Sequence, residues 1–445
     1  MSVRLLWLLL APACLALSTQ SAGNKIVILG GTGRIGTAVA SHLLRLAPDS
    51  HVMLVGRNEI KGAEAVREVL SEKQGSVEFG HVEDCWNATQ LKALVDGADC
   101  LIHTAGPYLG KDPTPLQVAI DCKCKAYIDV SDPLDYLEVS LALSDKAKAA
   151  GTSALLASGA FPGMSNVLAM EAASKIPSRI KDVRFNYFTA GLGGSGDVNL
   201  YITNLGFGEP MAQFEQGKLR LFQALSGLLL GKVSFFLKDE YGFGNDVIAQ
   251  RIGQQTVFSW PFPEAATVPK ELNASGDSHA AMGPAPDAWN LMLGILVSVV
   301  PRPWWRSERF SKFMADFSQP LVKATDTLLK LTSPDKVGET HGMRVDVTGE
   351  DGSTVSIIQG HESFRRCVGQ SCAEFAVDLI KNPSPGVALP EQRYRDTTAR
   401  QRIIQRLTST PGTFTYSGPV VVGGSPTPTE LAEALQRANE MESSL

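Results

Sequence analysis

A glycine-rich segment near the amino terminus has the spacing of a dinucleotide-binding loop. It follows an apolar run at residues 25–29, and apolar residues at helical spacing follow it. In a strand–turn–helix context such glycines allow a tight turn and a close backbone approach to a pyrophosphate at the helix N-terminus. The alternative is a glycine turn that binds nothing. The residues expected to contact the dinucleotide are Gly30, Gly31, Thr32, Gly33, Arg34, Ile35 and Gly36.

The end of the second predicted strand, at residues 51–55, discriminates between NAD and NADP. NAD sites place Asp or Glu about 20 residues after the glycines, where it accepts hydrogen bonds from the ribose hydroxyls. This chain instead has Arg57, with Lys61 shortly after it. A guanidinium can bind a 2′-phosphate through two hydrogen bonds. The sequence therefore predicts NADP, with Arg34 adding positive charge, unless Arg57 is merely a solvated loop cation.

Alternating strand and helix patterns continue to about residue 157 and predict a doubly wound parallel sheet. In such sheets, ligands bind where the strands end at their carboxyl edge. The third predicted strand ends at Asp84, and the fourth is followed by Ala105, Gly106 and Pro107. We expect these four residues to contact the cofactor as well.

A reductase also needs a group that supplies a proton. Tyr108, Asp129 and His103 are the preferred candidates, and Asp132 and Tyr187 are further ones. The first four lie at predicted carboxyl edges of strands, and Tyr187 lies beside a glycine-rich stretch. Each has a structural alternative: a buried core histidine, a pocket wall, or an N-cap for the two aspartates.

Five segments in order and spacing resemble the saccharopine dehydrogenase-like family, and more narrowly its plant and algal plastid-type members. The resemblance covers about residues 25–406. The segments are the glycine loop, 105–108, 127–132, 161–166 and 187–194, with Arg344-Val345-Asp346 and residues 386–391 as further matches.

The resemblance implies an NADP-binding Rossmann domain, a second α+β domain with an antiparallel sheet, and a return of the chain to the first domain. Predicted strands after residue 183 and a hairpin at 343–360 agree with it. We expect a targeting peptide at 1–22, a discontinuous Rossmann domain at 24–165 and 362–406, a substrate or dimerisation domain at 166–361, and an extension at 407–445.

The resemblance also implies an NADP-dependent oxidoreductase that transfers hydride to or from a C=N or C=O bond. Family members that reduce amino-acid imines usually carry an acid where this chain has Phe161. This departure makes saccharopine a doubtful substrate, and a small molecule or a lipid-like compound is expected instead. The alternative is a non-catalytic NADP-binding or scaffold protein that keeps the fold.

Composition limits the partners. The chain has 445 residues, 44% hydrophobic and 20% charged, which is typical of globular proteins, and a net charge of −5, which disfavours a nucleic-acid partner. Arg4 and the apolar run to Leu17 predict a signal peptide, and hence the secretory pathway or a plastid reached through it. No zinc-binding cysteine pattern occurs, and no metal is expected.

Two further apolar stretches lie at residues 219–236 and 289–300. The second, which has 12 residues, is too short to span a bilayer and is followed by Pro-Arg-Pro-Trp-Trp-Arg at 301–306. Trp and Arg at one end are typical of a segment that lies on a membrane surface. A buried helix of the second domain, or a contact in a homodimer, is the alternative.

Overall fold

The structure is a computed structural model. It describes residues 23–72, 75–190, 197–223, 231–235, 252–285, 287–332 and 339–422. The predicted signal peptide and the last 23 residues lie outside this part of the chain.

The first part of the chain alternates strands and helices. Its elements are β1 (Lys25–Leu29), α1 (Arg34–Leu46), β2 (His51–Gly56), α2 (Glu59–Glu72), β3 (Ser76–His81), α3 (Ala88–Val95), β4 (Cys100–His103), α4 (Thr114–Asp121), β5 (Ala126–Asp129), α5 (Leu134–Leu141), α6 (Ser144–Ala150), β6 (Ser153–Leu155) and α7 (Met164–Ala173).

The second part carries β7 (Ile180–Ala190), α8 (Asp197–Gly206), β8 (Pro210–Glu215), β9 (Lys218–Gln223), β10 (Gly231–Ser234), β11 (Gln254–Ser259), α9 (Glu264–Leu272), β12 (Ser278–Ala285), α10 (Asp287–Val299), α11 (Arg302–Trp305), α12 (Glu308–Thr332), β13 (His341–Gly349) and β14 (Thr354–His361). The last described elements are α13 (Phe364–Lys381), β15 (Gly386–Ala388), α14 (Pro390–Arg393), α15 (Thr397–Thr408) and β16 (Thr413–Val422).

Seven parallel strands form the first sheet, in the order β15-β6-β5-β4-β1-β2-β3. The central strands β1, β4 and β5 are almost entirely buried, as expected for a sheet covered by helices on both faces. The strand order reverses between β1 and β4, so a crevice opens there at the carboxyl edge of the sheet. The predicted doubly wound parallel sheet is confirmed.

Nine strands form the second sheet, with the path β10-β11-β12-β7-β13-β14-β16 and with β8 and β9 attached beside β12. The predicted hairpin is present, since Thr348 pairs with Thr354. The prediction of an antiparallel sheet needs one correction, because β12 and β7 run parallel in register from Ser278↔Val183 to Ala285↔Ala190. The sheet is therefore mixed, through a long-range pairing that no local pattern shows.

The chain returns to the first domain, as the resemblance implied. Helix α13 packs on α1, where Gly369 lies so close to Ala38 that an added Cβ would stand 2.7 Å from its side chain. Strand β15 then extends the first sheet beside β6. One large apolar core joins the helices of both domains with the inner face of the second sheet, so the two domains share their hydrophobic stabilisation.

Two local expectations differ from the structure. The helical spacing of apolar residues predicts one helix over residues 137–150, but the structure divides this stretch into α5 and α6 around residues 142–143. Residues 413–422, expected in a carboxyl-terminal extension, form β16 and pair with β14 in the second sheet. No helix among the described residues is long and apolar enough to cross a membrane.

Candidate functional site

The glycine loop connects the buried end of β1 to the start of α1. Gly30 has a φ of +74°, and the Gly31 backbone N–H donates to Val55 O at 3.1 Å, so the loop is tied to β2. Gly33 is the N-cap of α1 and is exposed together with Arg34, with no acid in the first helical turn. An open helix N-terminus of this kind favours a bound anion.

The glycines of the loop divide into two roles. A Cβ at Gly36 would stand 2.3 Å from Gly30 O, and one at Gly31 would stand 2.8 Å from the backbone of β2 at Leu54, so both positions require the close packing that only glycine allows. A Cβ at Gly33 would meet only Gly30 O, at 3.1 Å, because its other side faces the crevice. Gly30, Gly33 and Gly36 therefore line a surface that fits a pyrophosphate. Gly31 does not line the crevice, because it packs against β2 behind this surface.

A cationic rim follows β2. Arg57 is exposed at the crevice, and Asn58, Lys61 and Arg34 line the same wall. Among the described residues, none of the three cations has an ion-pair partner, so their charges are free for an anionic ligand. This arrangement fits the 2′-phosphate of NADP.

The carboxyl edges of β4, β5 and β6 form the other half of the crevice. Ala105, Gly106 and Pro107 line it after β4, as predicted, but Asp84 does not. The Asp84 carboxylate points into its own turn, where it accepts a hydrogen bond from Trp86 N at 2.9 Å.

The structure places two of the predicted proton donors inside the protein. Asp129 is fully buried and accepts hydrogen bonds from Ser131, Tyr127 and the Ala157 backbone, so it ties the loops after β5 and β6 together. His103 is also fully buried, and desolvation lowers its pKa to about 3. Neither residue lines the crevice, which leaves both without access to a ligand in this arrangement.

Tyr108 and Asp132 do line the crevice. The Tyr108 hydroxyl donates a hydrogen bond to His103 O at 2.6 Å. Burial raises the pKa of Tyr108 well above its usual range, so the hydroxyl keeps its proton. Asp132 is partly buried after β5, and desolvation raises its pKa to about 6. A carboxyl group with such a pKa is still partly protonated near neutral pH and can therefore donate a proton.

Tyr187, the fifth candidate, stands one layer behind the crevice. Its ring stacks on Phe161, and its hydroxyl donates to Glu264 Oε1 at 2.5 Å. Glu264 is fully buried, and desolvation raises its pKa to about 7. Ser165 contacts the same oxygen, and Asn166 links the cluster to the buried Glu391. Sequence reasoning missed Glu264, because its burial depends on the packing of α9 against α7.

The crevice opens into a chamber walled by the second domain. Together they form one cavity of about 1410 Å³. Phe364 and Val368 of α13 line it from the first domain, and Glu209, Gln319 and Lys323 are among the polar groups of the second. The remaining wall is mostly apolar and includes Phe161, Leu205, Phe207, Ala212, Leu221, Trp260, Phe262 and Met282. Among the described residues, no group of three or more His, Cys, Asp or Glu side chains could hold a metal ion.

Comparison with protein families identifies the domain that holds the glycine loop and the cationic rim. Residues 26–155 match the model of the saccharopine dehydrogenase NADP binding domain. The matched segment, 130 of the 445 residues, is similar to that domain. The match agrees with the predicted family over this segment and supports NADP as the cofactor of the domain that forms the crevice.

The solved structures that match part of this chain are distant. Pen from Bacillus thuringiensis is 18% identical over 30% of this chain and 49% of its own, so the match spans about half of that protein, with a TM-score of 0.23. A metagenomic short-chain oxidoreductase in complex with NADP is 16% identical over 30% of this chain and 81% of its own, with a TM-score of 0.25. A putative short-chain dehydrogenase/reductase from Sinorhizobium meliloti 1021 is 18% identical over 31% of this chain and 80% of its own, with a TM-score of 0.24. These likenesses carry no functional information. The curated proteins include no match to this chain.

Proposed function

We propose that the protein reduces the C=O or C=N bond of an apolar substrate with NADPH. The observation that carries this proposal is the continuity of a single cavity from the NADP crevice to an aromatic chamber. Apart from the rim that fits the cofactor, Lys323 is the only cation on the cavity wall among the described residues. A pocket of this composition favours an uncharged substrate over an amino acid, whose ammonium and carboxylate groups need polar partners.

Phe161 supports the same substrate class. It occupies the position where amino-acid imine reductases of the family usually have an acid, and it lines the cavity. Phe364 and Phe262 contact its ring, with centroids 4.9 Å and 5.4 Å away. A charged substrate group placed here would lose its hydration without gaining a partner.

Different residues of the chain bind the cofactor, bind the substrate and donate the proton. When bound, NADPH would supply the hydride for the carbonyl or imine carbon. Gly33 and the α1 N-terminus would hold the pyrophosphate, and Arg57 would hold the 2′-phosphate. The aromatic chamber orients the substrate and excludes water. Asp132 gives its carboxyl proton to the substrate oxygen or nitrogen as negative charge develops there, and regains a proton from solvent.

The experiment that tests this proposal measures NADPH oxidation by the full-length protein. The panel pairs apolar aldehydes, ketones and cyclic imines with 2-oxo acids and amino-acid-derived imines of similar size. We expect turnover with apolar members only. Turnover of the charged members alone would contradict the substrate class. NADPH binding without turnover of any member would favour the alternative, a binding protein that keeps the fold.

A further inference from the structure

Seven large apolar side chains are exposed on three consecutive helices of the second domain. They are half of the fourteen large apolar side chains that are exposed among the described residues, although they lie within 31 residues of the chain. Each is more than half exposed. We call them the apolar face, and they are Leu291, Ile295, Val299, Trp304, Phe313, Phe317 and Leu321.

The apolar face is the outer side of a single layer. On α10 its residues recur at every fourth position, and so do those on α12, so each helix presents a stripe. The inner sides of the same helices pack on one small core around Phe207 and Trp305, to which α10 contributes Val297 and α12 contributes Phe310 and Met314. Both helices therefore bury one apolar side and leave a second one in water. Apolar exposure of this extent is typical of an interaction site.

We propose that the apolar face docks on an anionic membrane surface. Between residues 302 and 332 the sequence has six Lys or Arg and three Asp or Glu, whereas acids are in excess over the whole chain. Arg309 and Lys323 are exposed on α12 near the apolar stripe, and Lys312, also exposed, is paired with Asp316 at 3.1 Å. Exposed aromatic rings with flanking cations are the composition that favours the boundary between lipid headgroups and acyl chains.

Helix α12 connects this surface to the cavity. Gln319 and Lys323 line the cavity wall, while Phe317 and Leu321 belong to the apolar face. Phe207 and Trp260 of the small core also line the cavity. A docked molecule would therefore hold its chamber beside the bilayer, where lipid-like carbonyl compounds dissolve. This last consequence rests on the proposed function, whereas docking itself does not.

A second copy of this chain is the other occupant that an apolar surface could accept, but two copies would bring like charges together.

The test is sedimentation of the full-length protein with vesicles of phosphatidylcholine, with and without phosphatidylserine, in the absence of cofactor and substrate. We expect binding that needs phosphatidylserine and weakens with salt. The double variant Phe313→Ser, Phe317→Ser should bind at least about tenfold more weakly. Its matched control is Ile60→Ser, Val139→Ser, which removes exposed apolar side chains from the first domain.

Light scattering at the same protein concentration separates the two occupants. Lost vesicle binding in the α12 variant, with an unchanged melting temperature and an unaffected control variant, would support the proposal. Equal vesicle binding by all three proteins would overturn it. So would a dimer that the α12 variant dissociates, in a protein that does not bind vesicles. Because no cofactor or substrate is present, a failure of the proposed reaction would leave this result unchanged.

Discussion

Phe161 stacks on Tyr187, with ring centroids 4.1 Å apart and an interplanar angle of 10°. The stack separates the cavity from the Glu264 carboxyl that accepts the Tyr187 hydroxyl hydrogen bond. Phe161 follows β6 in the first domain, and Tyr187 lies on β7 of the second. The contact therefore joins the two domains at the wall of the proposed substrate chamber.

Replacing Phe161 by Glu should remove most activity toward apolar substrates. A carboxylate at this position would lie among aromatic rings, and the nearby His341 is neutral because burial lowers its pKa to about 3. We expect kcat/KM to fall about 100-fold or more, with the NADPH Kd little changed. Phe161→Leu keeps an apolar wall and is the matched control, with a loss of about tenfold or less. Equal losses in both variants would show that charge at this position is irrelevant.

Asp132→Asn should remove the pH dependence that protonation of Asp132 gives to the rate of reduction. Since desolvation raises the Asp132 pKa to about 6, the protonated form is the main one below this pH, and the rate should fall about tenfold per pH unit above it. The variant should lose about 100-fold in kcat and show no such slope. Glu138→Gln, exposed on α5 and outside the crevice lining, is the control. A retained slope in Asp132→Asn would assign the proton to another group.

Two glycines of the loop should respond differently to substitution. Gly33 has a φ of −85°, which any residue can adopt, so Gly33→Val should fold normally and lose NADPH binding. Gly36→Ala places a Cβ 2.3 Å from Gly30 O and should lower the melting temperature by several degrees. Thermal unfolding and NADPH titration of both variants check this. Normal NADPH affinity in Gly33→Val would show that the pyrophosphate lies elsewhere.

Glu264→Gln should change how stability depends on pH. Desolvation raises the Glu264 pKa from 4.5 to about 7, so the folded state binds this proton more tightly than the unfolded state. The stability associated with the proton is complete below about pH 4.5 and is lost as pH rises through 7. The variant does not titrate here, and above pH 7 it should exceed the wild type by roughly 2–3 kcal/mol.

Urea unfolding at pH 5 and pH 8 measures the effect of Glu264→Gln. Glu215→Gln, on the exposed end of β8, is the control and should change neither value. The same difference between variant and wild type at both pH values would mean that Glu264 does not bind a proton in the folded state over this range.

Local sequence patterns predicted the first domain well, for physical reasons. Strands buried on both faces show as apolar runs, and the Gly31-to-Gly36 spacing has a steric cause that acts within a few residues. The chamber could not be predicted in this way. Trp260, Phe262 and Lys323 line one cavity with Phe161 only after distant segments have packed, and no local pattern shows this arrangement. The burial of Asp129 is a similar case, because its partners Tyr127, Ser131 and Ala157 satisfy the carboxylate inside the protein.

The affinities of the crevice for NADPH and NADH show directly whether the cationic rim selects the cofactor. Because Arg57 stands where NAD sites have an acid, NADPH should bind at least about tenfold more tightly, a difference of about 1.4 kcal/mol. Arg57→Ala should abolish this preference, while Arg67→Ala, on the exposed side of α2, should keep it. Fluorescence titration of the wild type and one variant with both cofactors gives four dissociation constants for each comparison. Equal affinities in the wild type, or an undiminished preference in Arg57→Ala, would show that Arg57 does not select NADPH.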